Sequence, residues 1–289
     1  MASDGWLQAQ QLSKTITMSR VFELMVSRIL RLLGALALLS SCAAAAAPMA
    51  GPQTPAPSAP LTADQVITRV EAMNALRAEK LQGYSSVRTY RLELHGLFSK
   101  KAEMVVRADY RAPDTKKFTV LSEHGSHAVL NLVFRRLLRA ELDSMHPQDQ
   151  EHSAISLENY RFRLVDHYRT GSHEFYVLQA EPKTKGEFLF AGRIWVDAAD
   201  FAVTKVDGQP AVNPSWWTKS TDFSRIYEQV GQFWLPESNH SVTKVRIFGT
   251  AVLTIHYEDY RITPVPVVAA LPDEPAWAPG AELGSIAAP

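Results

Sequence analysis

The stretch from Arg193 to Tyr260 constrains the fold more than any other part of the chain. Apolar and polar residues alternate along it, and turn-forming residues interrupt the alternation at short intervals. This pattern is typical of consecutive antiparallel strands. Because such a meander must bury one apolar face and protect its edges, we expect a curled or closed sheet. The apolar positions that set the period of two are Ile194, Val196, Phe201, Val203, Val245, Ile247, Val252 or Leu253, Ile255 and Tyr257.

Turn-forming residues divide this stretch into strands of ordinary length. Glycine, proline, asparagine and aspartate punctuate strands because they supply the backbone conformations that turns require. We therefore expect turns at Asp197 to Asp200, Asp207-Gly208, Asn213-Pro214, Gly231, Pro236 and Gly249.

Two helices and several further strands precede the meander. Thr62-Ala-Asp-Gln65 is a capping-box pattern followed by Val66, Ile67, Val70, Met73 and Leu76 at helical spacing, which predicts a helix ending near Gly83. A second helix is predicted over 126–144, with Ser126 as its candidate N-cap. The segments on either side of this second helix again have a period of two. Their apolar positions are Tyr90, Leu92, Leu94, Met104, Val106, Ala108, Phe118, Val120, Tyr160, Phe162, Leu164, Phe175, Val177, Phe188 and Phe190.

These elements predict an α+β fold that is mainly β. We expect a curled antiparallel sheet, or incomplete β-barrel, of about nine to eleven strands with the helices as its lid.

The N-terminal region has the features of an export signal. Residues 25–42 read MVSRILRLLGALALLSSC, in which two arginines precede an apolar run too short to span a bilayer. Its end, Leu39-Ser40-Ser41-Cys42, resembles a bacterial lipobox, whose cysteine becomes the acylated first residue of the mature protein. Cleavage within the alanine tract 43–47 is the alternative. We expect an exported, periplasmic protein anchored to a membrane, such as the outer membrane, through Cys42.

The composition divides the chain into four regions. Residues 1–42 are read as an N-terminal extension with the signal peptide, and residues 43–61 as an Ala/Pro-rich linker. The sheet domain is predicted over 62–263. Residues 264–289 form a second Pro/Ala-rich segment, whose composition predicts a disordered tail because it cannot bury a core.

Charge and motifs argue against several classes of function. The 30 basic residues balance the 30 acidic ones, which does not favour nucleic-acid binding. The single cysteine, Cys42, excludes an intramolecular disulfide and a four-thiolate metal site. None of the nine histidines lies in a zinc motif, and no phosphate loop, nucleophile elbow or dinucleotide fingerprint occurs. We therefore expect no catalytic residues, no metal site and no cofactor.

The order of signal, spacer, capped helix, three strands, helix and long meander resembles the LolA/LolB-type superfamily. Arg193-Ile-Trp-Val-Asp197 followed by Phe201-Ala-Val203 is similar to the turn in that superfamily where one strand ends in an aspartate and the next begins. Members are periplasmic carriers or outer-membrane receptors of lipoproteins, and similar sequences are commonly called outer-membrane lipoprotein-sorting proteins. For residues 62–263 the resemblance implies a half-barrel, lidded by helices, whose apolar cavity holds acyl chains.

This resemblance leads to a functional hypothesis and an alternative. The protein would carry or receive the acyl chains of lipoproteins or lipids without covalent chemistry. The alternative is an envelope regulatory or sensor module that binds a protein partner through the same sheet. If Cys42 is acylated, a membrane-held receptor fits better than a free shuttle. The candidate cavity residues are Leu92, Leu94, Met104, Val106, Phe162, Phe190, Trp195, Ile247 and Ile255.

The lipid anchor can be tested by fractionation of a Gram-negative host that expresses the chain. We expect the wild-type protein in the membrane fraction and the Cys42→Ala variant released from it, since acyl chains contribute about 0.8 kcal/mol per buried methylene to membrane attachment. Ser40→Ala keeps the cysteine and is the matched control. An unchanged distribution of the Cys42→Ala variant would contradict the lipoprotein prediction.

Overall fold

Strands dominate the described part of the chain, as the period of two predicts. The computed structural model describes residues 61–96, 99–143, 145, 151–186, 188–212, 218–246 and 249–263. Helix α1 spans Ala63–Lys80, and a second helical region is built from α2 (His127–Val129), a π-helical turn (Leu130–Phe134) and α3 (Arg135–Asp143). The strands are β1 (Gly83–His95), β2 (Lys100–Arg111), β3 (Thr115–Gly125), β4 (Tyr160–Thr170), β5 (His173–Pro182), β6 (Phe190–Asp197), β7 (Val203–Pro210), β8 (Thr218–Val230), β9 (Phe233–Val245) and β10 (Gly249–Ile262).

All ten strands belong to one sheet. Their order is β3-β2-β1-β10-β9-β8-β7-β6-β5-β4, and every neighbouring pair is antiparallel. Strands β4 to β10 form the long meander, and the hairpins β1 to β3 are attached to it through the pairing of β1 with β10. Strands β3 and β4 are the two edges, so the sheet is not closed into a barrel. The predicted mainly β fold with a curled antiparallel sheet is confirmed.

Two of the expected turns lie within strands instead. Asp207-Gly208 is part of β7, where Gly208 pairs with Gly192 of β6. Pro236 lies inside β9 at a bulge opposite Tyr227, which is a position that tolerates the missing backbone N–H. The turns at Asp197 to Asp200 and at Gly231 are confirmed, whereas Gly249 is the first residue of β10 and Asn213-Pro214 lies outside the described residues.

Helix α1 begins at the predicted capping box. The backbone N–H of Gln65 donates to Thr62 Oγ1 over 3.3 Å, and the backbone N–H of Thr62 donates to Gln65 Oε1 over 3.0 Å. The helix buries Val66, Ile67 and Val70. The prediction that Leu76 shares this buried face is wrong, because Leu76 is 48% exposed and Arg77 is buried in the last turn instead. A contact of Arg77 with the sheet, described below, explains the difference.

The second helical region largely matches the predicted helix over 126–144. Ser126 lies at the N-cap position, although its side chain makes no capping hydrogen bond. The helix widens to a π-turn over Leu130–Phe134 before it continues as α3. Its buried residues face the sheet, and they are Val129, Leu130, Val133, Phe134, Leu137, Leu138 and Glu141.

Other predictions concern residues that the structure does not describe. The signal peptide, the linker up to residue 60 and the segment 264–289 lie there, as does Cys42. The domain boundaries therefore stay predictions. Among the described helices, none combines the length and apolarity that crossing a membrane requires.

The close approach of β6 and β7 at Gly192 can be tested by substitution. A Cβ atom at Gly192 would collide with the backbone carbonyl oxygen of Asp207 and with Gly208 Cα, so both strands would have to move. We expect Gly192→Ala to lower the free energy of unfolding by about 1–3 kcal/mol, as overpacking typically does. Urea denaturation measures the effect. Ala191→Ser, which also adds one heavy atom but at the exposed neighbouring position of β6, is the control and should change the free energy of unfolding by no more than about 0.5 kcal/mol. An equal loss in both variants would contradict this account.

Candidate binding surface on the inner face of the sheet

The two helical regions cover the same face of the sheet, which we call the inner face. Helix α1 packs on a cluster formed by β4 to β8, which we call the α1 compartment. The second helical region packs on a cluster formed mainly by β1, β2 and β10, which we call the α3 compartment. A smaller third cluster lies at one end of the sheet and contains Leu81, Tyr84, Tyr110, Met145, Phe233 and Leu235. Each half of the inner face therefore has its own helical cover.

A polar stripe on β9 separates the two compartments. Asn239, Ser241 and Thr243 are all buried there, and Thr221 of β8 lies 3.1 Å from Thr243 between their hydroxyl oxygens. Arg225 of β8 is also buried beside this stripe. Because buried polar groups cost free energy unless they are hydrogen-bonded, an inner face with such a stripe is not a uniform apolar surface.

A buried ion cluster joins α3 to the sheet inside the α3 compartment. Arg88 of β1 donates from Nη1 to both carboxylate oxygens of Glu141, over 3.0 and 3.1 Å. Lys116 of β3 donates to Glu141 Oε1 over 2.8 Å. The side chains of Arg88, Lys116 and Glu141 are at most 1% exposed. One carboxylate from the helix thus compensates two cations from the sheet.

Aromatic rings surround the Arg88 guanidinium. The Arg88 Cζ atom lies 5.4 Å from the centre of the Phe118 ring and 5.1 Å from that of Tyr257, distances at which cation–π attraction contributes. Burial is the largest single effect and acts to lower the pKa of Arg88, but the Glu141 carboxylate together with Tyr90, Tyr84 and Tyr257 outweighs it and holds this pKa well above its ordinary value. Arg88 therefore stays charged. Its Nε and Nη2 atoms have no hydrogen-bond partner among the described residues.

Helix α1 is held by a different and more exposed contact. Arg77 Nη2 donates to the backbone oxygen of Asp200 over 2.6 Å and lies 3.0 Å from Asp200 Oδ2. Trp234 Nε1 also donates to Asp200 Oδ2, over 2.7 Å. The Asp200 side chain is 32% exposed and sits in the β6–β7 turn, where it also accepts from the backbone N–H of Ala202. The β6–β7 turn, which lies between Asp197 and Phe201 and which the sequence pattern predicts, is therefore where the last turn of α1 contacts the sheet.

Seven of the nine predicted cavity residues lie on the inner face. Leu92, Met104, Val106 and Ile255 are buried in the α3 compartment, with Leu94 packed against them. Phe190 is buried in the α1 compartment, and Phe162 packs against it. Trp195 lies on the opposite face of β6 from Ile194 and Val196, where Lys205 Nζ is 4.6 Å from its ring centre. Ile247 lies outside the described residues.

Sequence reasoning missed the charged members of the inner face. Arg88 has the same strand phase as Tyr90 and Leu92, and Arg225 has that of Phe223 and Tyr227. Both could have been found by assigning polar residues, as well as apolar ones, to the inner face whenever they are in phase with it, because side chains two residues apart in a strand share a face. Glu141 lies four residues after the buried Leu137, and residues four apart in a helix share a face, so its burial could have been found in the same way. Within the described ranges, no group of three or more His, Cys, Asp or Glu side chains could hold a metal ion.

The buried carboxylate can be tested by neutralisation. Glu141→Gln preserves the shape of the side chain but removes the negative charge that Arg88 and Lys116 share. We expect the free energy of unfolding to fall by about 3–5 kcal/mol, which is typical when one partner of a buried pair is removed. Glu123→Gln, which breaks the more exposed Arg135–Glu123 pair, should cost only about 0.2–1 kcal/mol. Similar losses for both variants in urea denaturation would contradict the assignment.

Comparison with solved structures returns several proteins at low sequence identity. A LolA superfamily protein from Nitrosomonas europaea is 10% identical, with a TM-score of 0.33, and the match covers 72% of this chain and 96% of that one. A domain described as an outer membrane lipoprotein-sorting protein from Vibrio parahaemolyticus is 11% identical, with a TM-score of 0.36 and coverages of 69% and 92%. A DUF1329 family protein from Desulfovibrio piger is 12% identical, with a TM-score of 0.36 and coverages of 68% and 91%. The first of these belongs to the superfamily that the sequence pattern resembles.

Sequence comparison identifies the family. No curated protein matches the chain. Residues 98–261 match the model of a family of unknown function, DUF5686. This match covers more than half of the chain and runs from just before β2 to the end of β10. The chain therefore belongs to the DUF5686 family.

Proposed function

We propose that this protein is a non-enzymatic binding protein of the cell envelope that holds acyl chains of lipoproteins or lipids against the inner face of its sheet. One observation carries the proposal: a ten-stranded sheet that is not closed has its apolar face covered by separate helices rather than by a second sheet. A helix can move away from a sheet as one body. Such a movement would uncover apolar side chains without breaking any strand pairing.

The α1 compartment is the better candidate for the ligand. Apart from the Arg77–Asp200 contact and a hydrogen bond from the backbone N–H of Leu157 to Glu71 Oε1, α1 is held mainly by Val66, Ile67 and Val70. The Arg77 side chain is buried, but that of Asp200 is 32% exposed. The α3 cover is fixed by the fully buried Glu141 cluster, and separating those charges costs several kcal/mol. Displacement of α1 is therefore the less costly of the two openings, and α1 is the proposed lid.

The apolar lining can supply useful affinity. Burial of a methylene contributes about 0.8 kcal/mol, so ten buried methylenes would contribute about 8 kcal/mol before the costs of association. A net free energy of about 8 kcal/mol, which corresponds to a dissociation constant of about 1 μM, therefore requires about five or more further methylenes to offset an association cost of at least about 4 kcal/mol. Phe190, Ile194 and Leu178, together with the partly buried Phe162, provide such a lining below α1. No bond needs to be made or broken in the ligand.

Membrane attachment through Cys42 would complete this role. A protein held by its own acyl group would receive acyl chains at that membrane rather than ferry them between membranes. The linker 43–61 is rich in alanine and proline, a composition that suits a semi-rigid spacer between the membrane and the sheet.

Binding of a fluorescent fatty acid to the purified full chain tests the proposal, together with native mass spectrometry of the protein as isolated. We expect bound lipid in the isolated protein and saturable uptake of the probe. Arg77→Gln should accelerate probe exchange, because it removes the ion pair that holds the last turn of α1. Lys80→Gln, an exposed change in the same turn, is the control.

Two results would overturn the proposal. The first is a wild-type protein that carries no lipid and takes up no acyl probe; stable capture of a protein ligand instead would then favour the sensor alternative. The second is equal exchange rates in the Arg77→Gln and Lys80→Gln variants, which would remove α1 from the role of lid.

A further inference from the structure

A basic pocket lies on the other side of the sheet from the proposed lipid compartment. It has a volume of about 450 Å³ and opens where β1 and β3 begin and β2 and β10 end. We call it the basic pocket, and it is defined by Arg111, Lys117, Arg261, Asp109, Ser85 and Thr115. Its volume is within the range of small-molecule sites and exceeds what a single small ion needs.

Strand register brings the charges of the basic pocket together. Asp109 of β2 is directly opposite Lys117 of β3 and Ser85 of β1, and Ser85 is opposite Arg261 of β10. Four neighbouring strands thus place Lys117, Asp109, Ser85 and Arg261 in one row. Directly opposite side chains on adjacent strands are about 5 Å apart at Cβ, so the row is a continuous surface. Arg111 lies two residues beyond Asp109 on the same face of β2.

The cations of the basic pocket have no ionic partner in the described part of the chain. Arg111, Lys117 and Arg261 form no salt bridge there, and neither does Asp109. The pocket therefore holds three positive charges and one negative charge, a formal excess of two. Clustered like charges in a concave surface raise the local potential and attract counter-ions.

The opposite end of the same strands is arranged differently. Arg91 Nη2 lies 2.6 Å from Glu103 Oε2, and Lys101 Nζ lies 3.0 Å from Glu93 Oε1. These cations also border a pocket, of about 220 Å³, but each is neutralised by a carboxylate of the neighbouring strand. The excess positive charge is therefore a property of the basic pocket and not of the whole outer surface of β1 and β2.

We propose that the basic pocket binds a phosphate group, either of an anionic lipid headgroup or of a free phosphate compound. Guanidinium and ammonium groups are the side chains that bind phosphate oxygens, through charge-assisted hydrogen bonds. The hydroxyl groups of Ser85, Thr115 and Thr263 add neutral donors around the same space. Tyr84 and Tyr110 border the pocket from the buried side, and their rings limit solvation of a bound anion there. This site is separate from the acyl-chain compartment and does not depend on it.

Titration calorimetry of the purified full chain with inorganic phosphate, at constant ionic strength and with chloride as the reference ion, tests the free-phosphate arm. Sedimentation with phosphatidylglycerol vesicles and with phosphatidylcholine vesicles tests the headgroup arm. We expect saturable binding in at least one arm. Lys117→Gln combined with Arg261→Gln should weaken it by about tenfold or more, since each removes a charge-assisted hydrogen bond.

Two further variants sharpen the test. Asp109→Asn removes the single carboxylate of the pocket with little change of shape, and it should strengthen binding. Lys219→Gln combined with Lys244→Gln removes the same charge from exposed positions outside the basic pocket, and it should change binding by no more than about twofold. Circular dichroism checks the fold of each variant, and the conservative Asp109→Asn change keeps the test decisive if the double variant unfolds.

Each possible result of these experiments leads to a different conclusion. Saturable phosphate binding that the pocket variants alter identifies a site for free phosphate compounds. A preference for phosphatidylglycerol vesicles that the pocket variants alter, without phosphate binding, identifies a headgroup site. Absence of both activities, or equal effects of the pocket and control double variants, would overturn the proposal. Uptake of the acyl probe should be unchanged in all these variants, so failure here is distinct from failure of the proposed function.

Discussion

The Glu141 carboxylate is the interaction on which half of the inner face depends. It neutralises Arg88 from β1 and Lys116 from β3 at full burial, and it is a buried polar contact that fixes α3 to the sheet. A buried charge without a partner is far more costly than a lost apolar contact. The register of β1, β2 and β3 and the position of the second helical region are therefore linked, since both cations must reach one carboxylate.

This linkage divides the inner face into a half whose helical cover is fixed by buried charges and a half whose cover is held mainly by apolar contacts. The α3 compartment is held together by buried charges, whereas α1 covers the other compartment mainly through apolar side chains and a contact at the β6–β7 turn in which Asp200 is 32% exposed. The polar stripe on β9 keeps the two compartments apart. In the proposed function, one compartment maintains the architecture of the sheet while the other opens for a ligand. The basic pocket adds a polar binding surface outside both.

The strand pattern could be predicted because it depends on local chemistry. Alternation placed Leu92, Met104 and Ile255 on a buried face, and the capping box placed the start of α1. Asp207-Gly208 misled the prediction because a glycine suits both a turn and a close approach of strands, and only its pairing with Gly192 decides between them. The burial of Arg88 and Glu141 could have been predicted from their phase, but their pairing with each other and with Lys116 could not, since it joins residues far apart in sequence. The basic pocket could not be predicted from the sequence either, because its charges are brought together by the register of four strands.

The pairing of β1 with β10 has a consequence for how the chain reaches its native state. Tyr84 pairs with Ile262, and the backbone N–H of Thr263 donates to the carbonyl oxygen of Gly83 over 2.9 Å, so the middle of the sheet joins the first and last described strands. Contacts between residues so far apart in sequence slow folding, because closing the long intervening loop costs chain entropy before the contact is gained. Before β10 is in place, β1 to β3 and β4 to β9 are two half-sheets with exposed apolar faces and an extra unpaired edge each. The native sheet is therefore continuous only once its last described strand is paired.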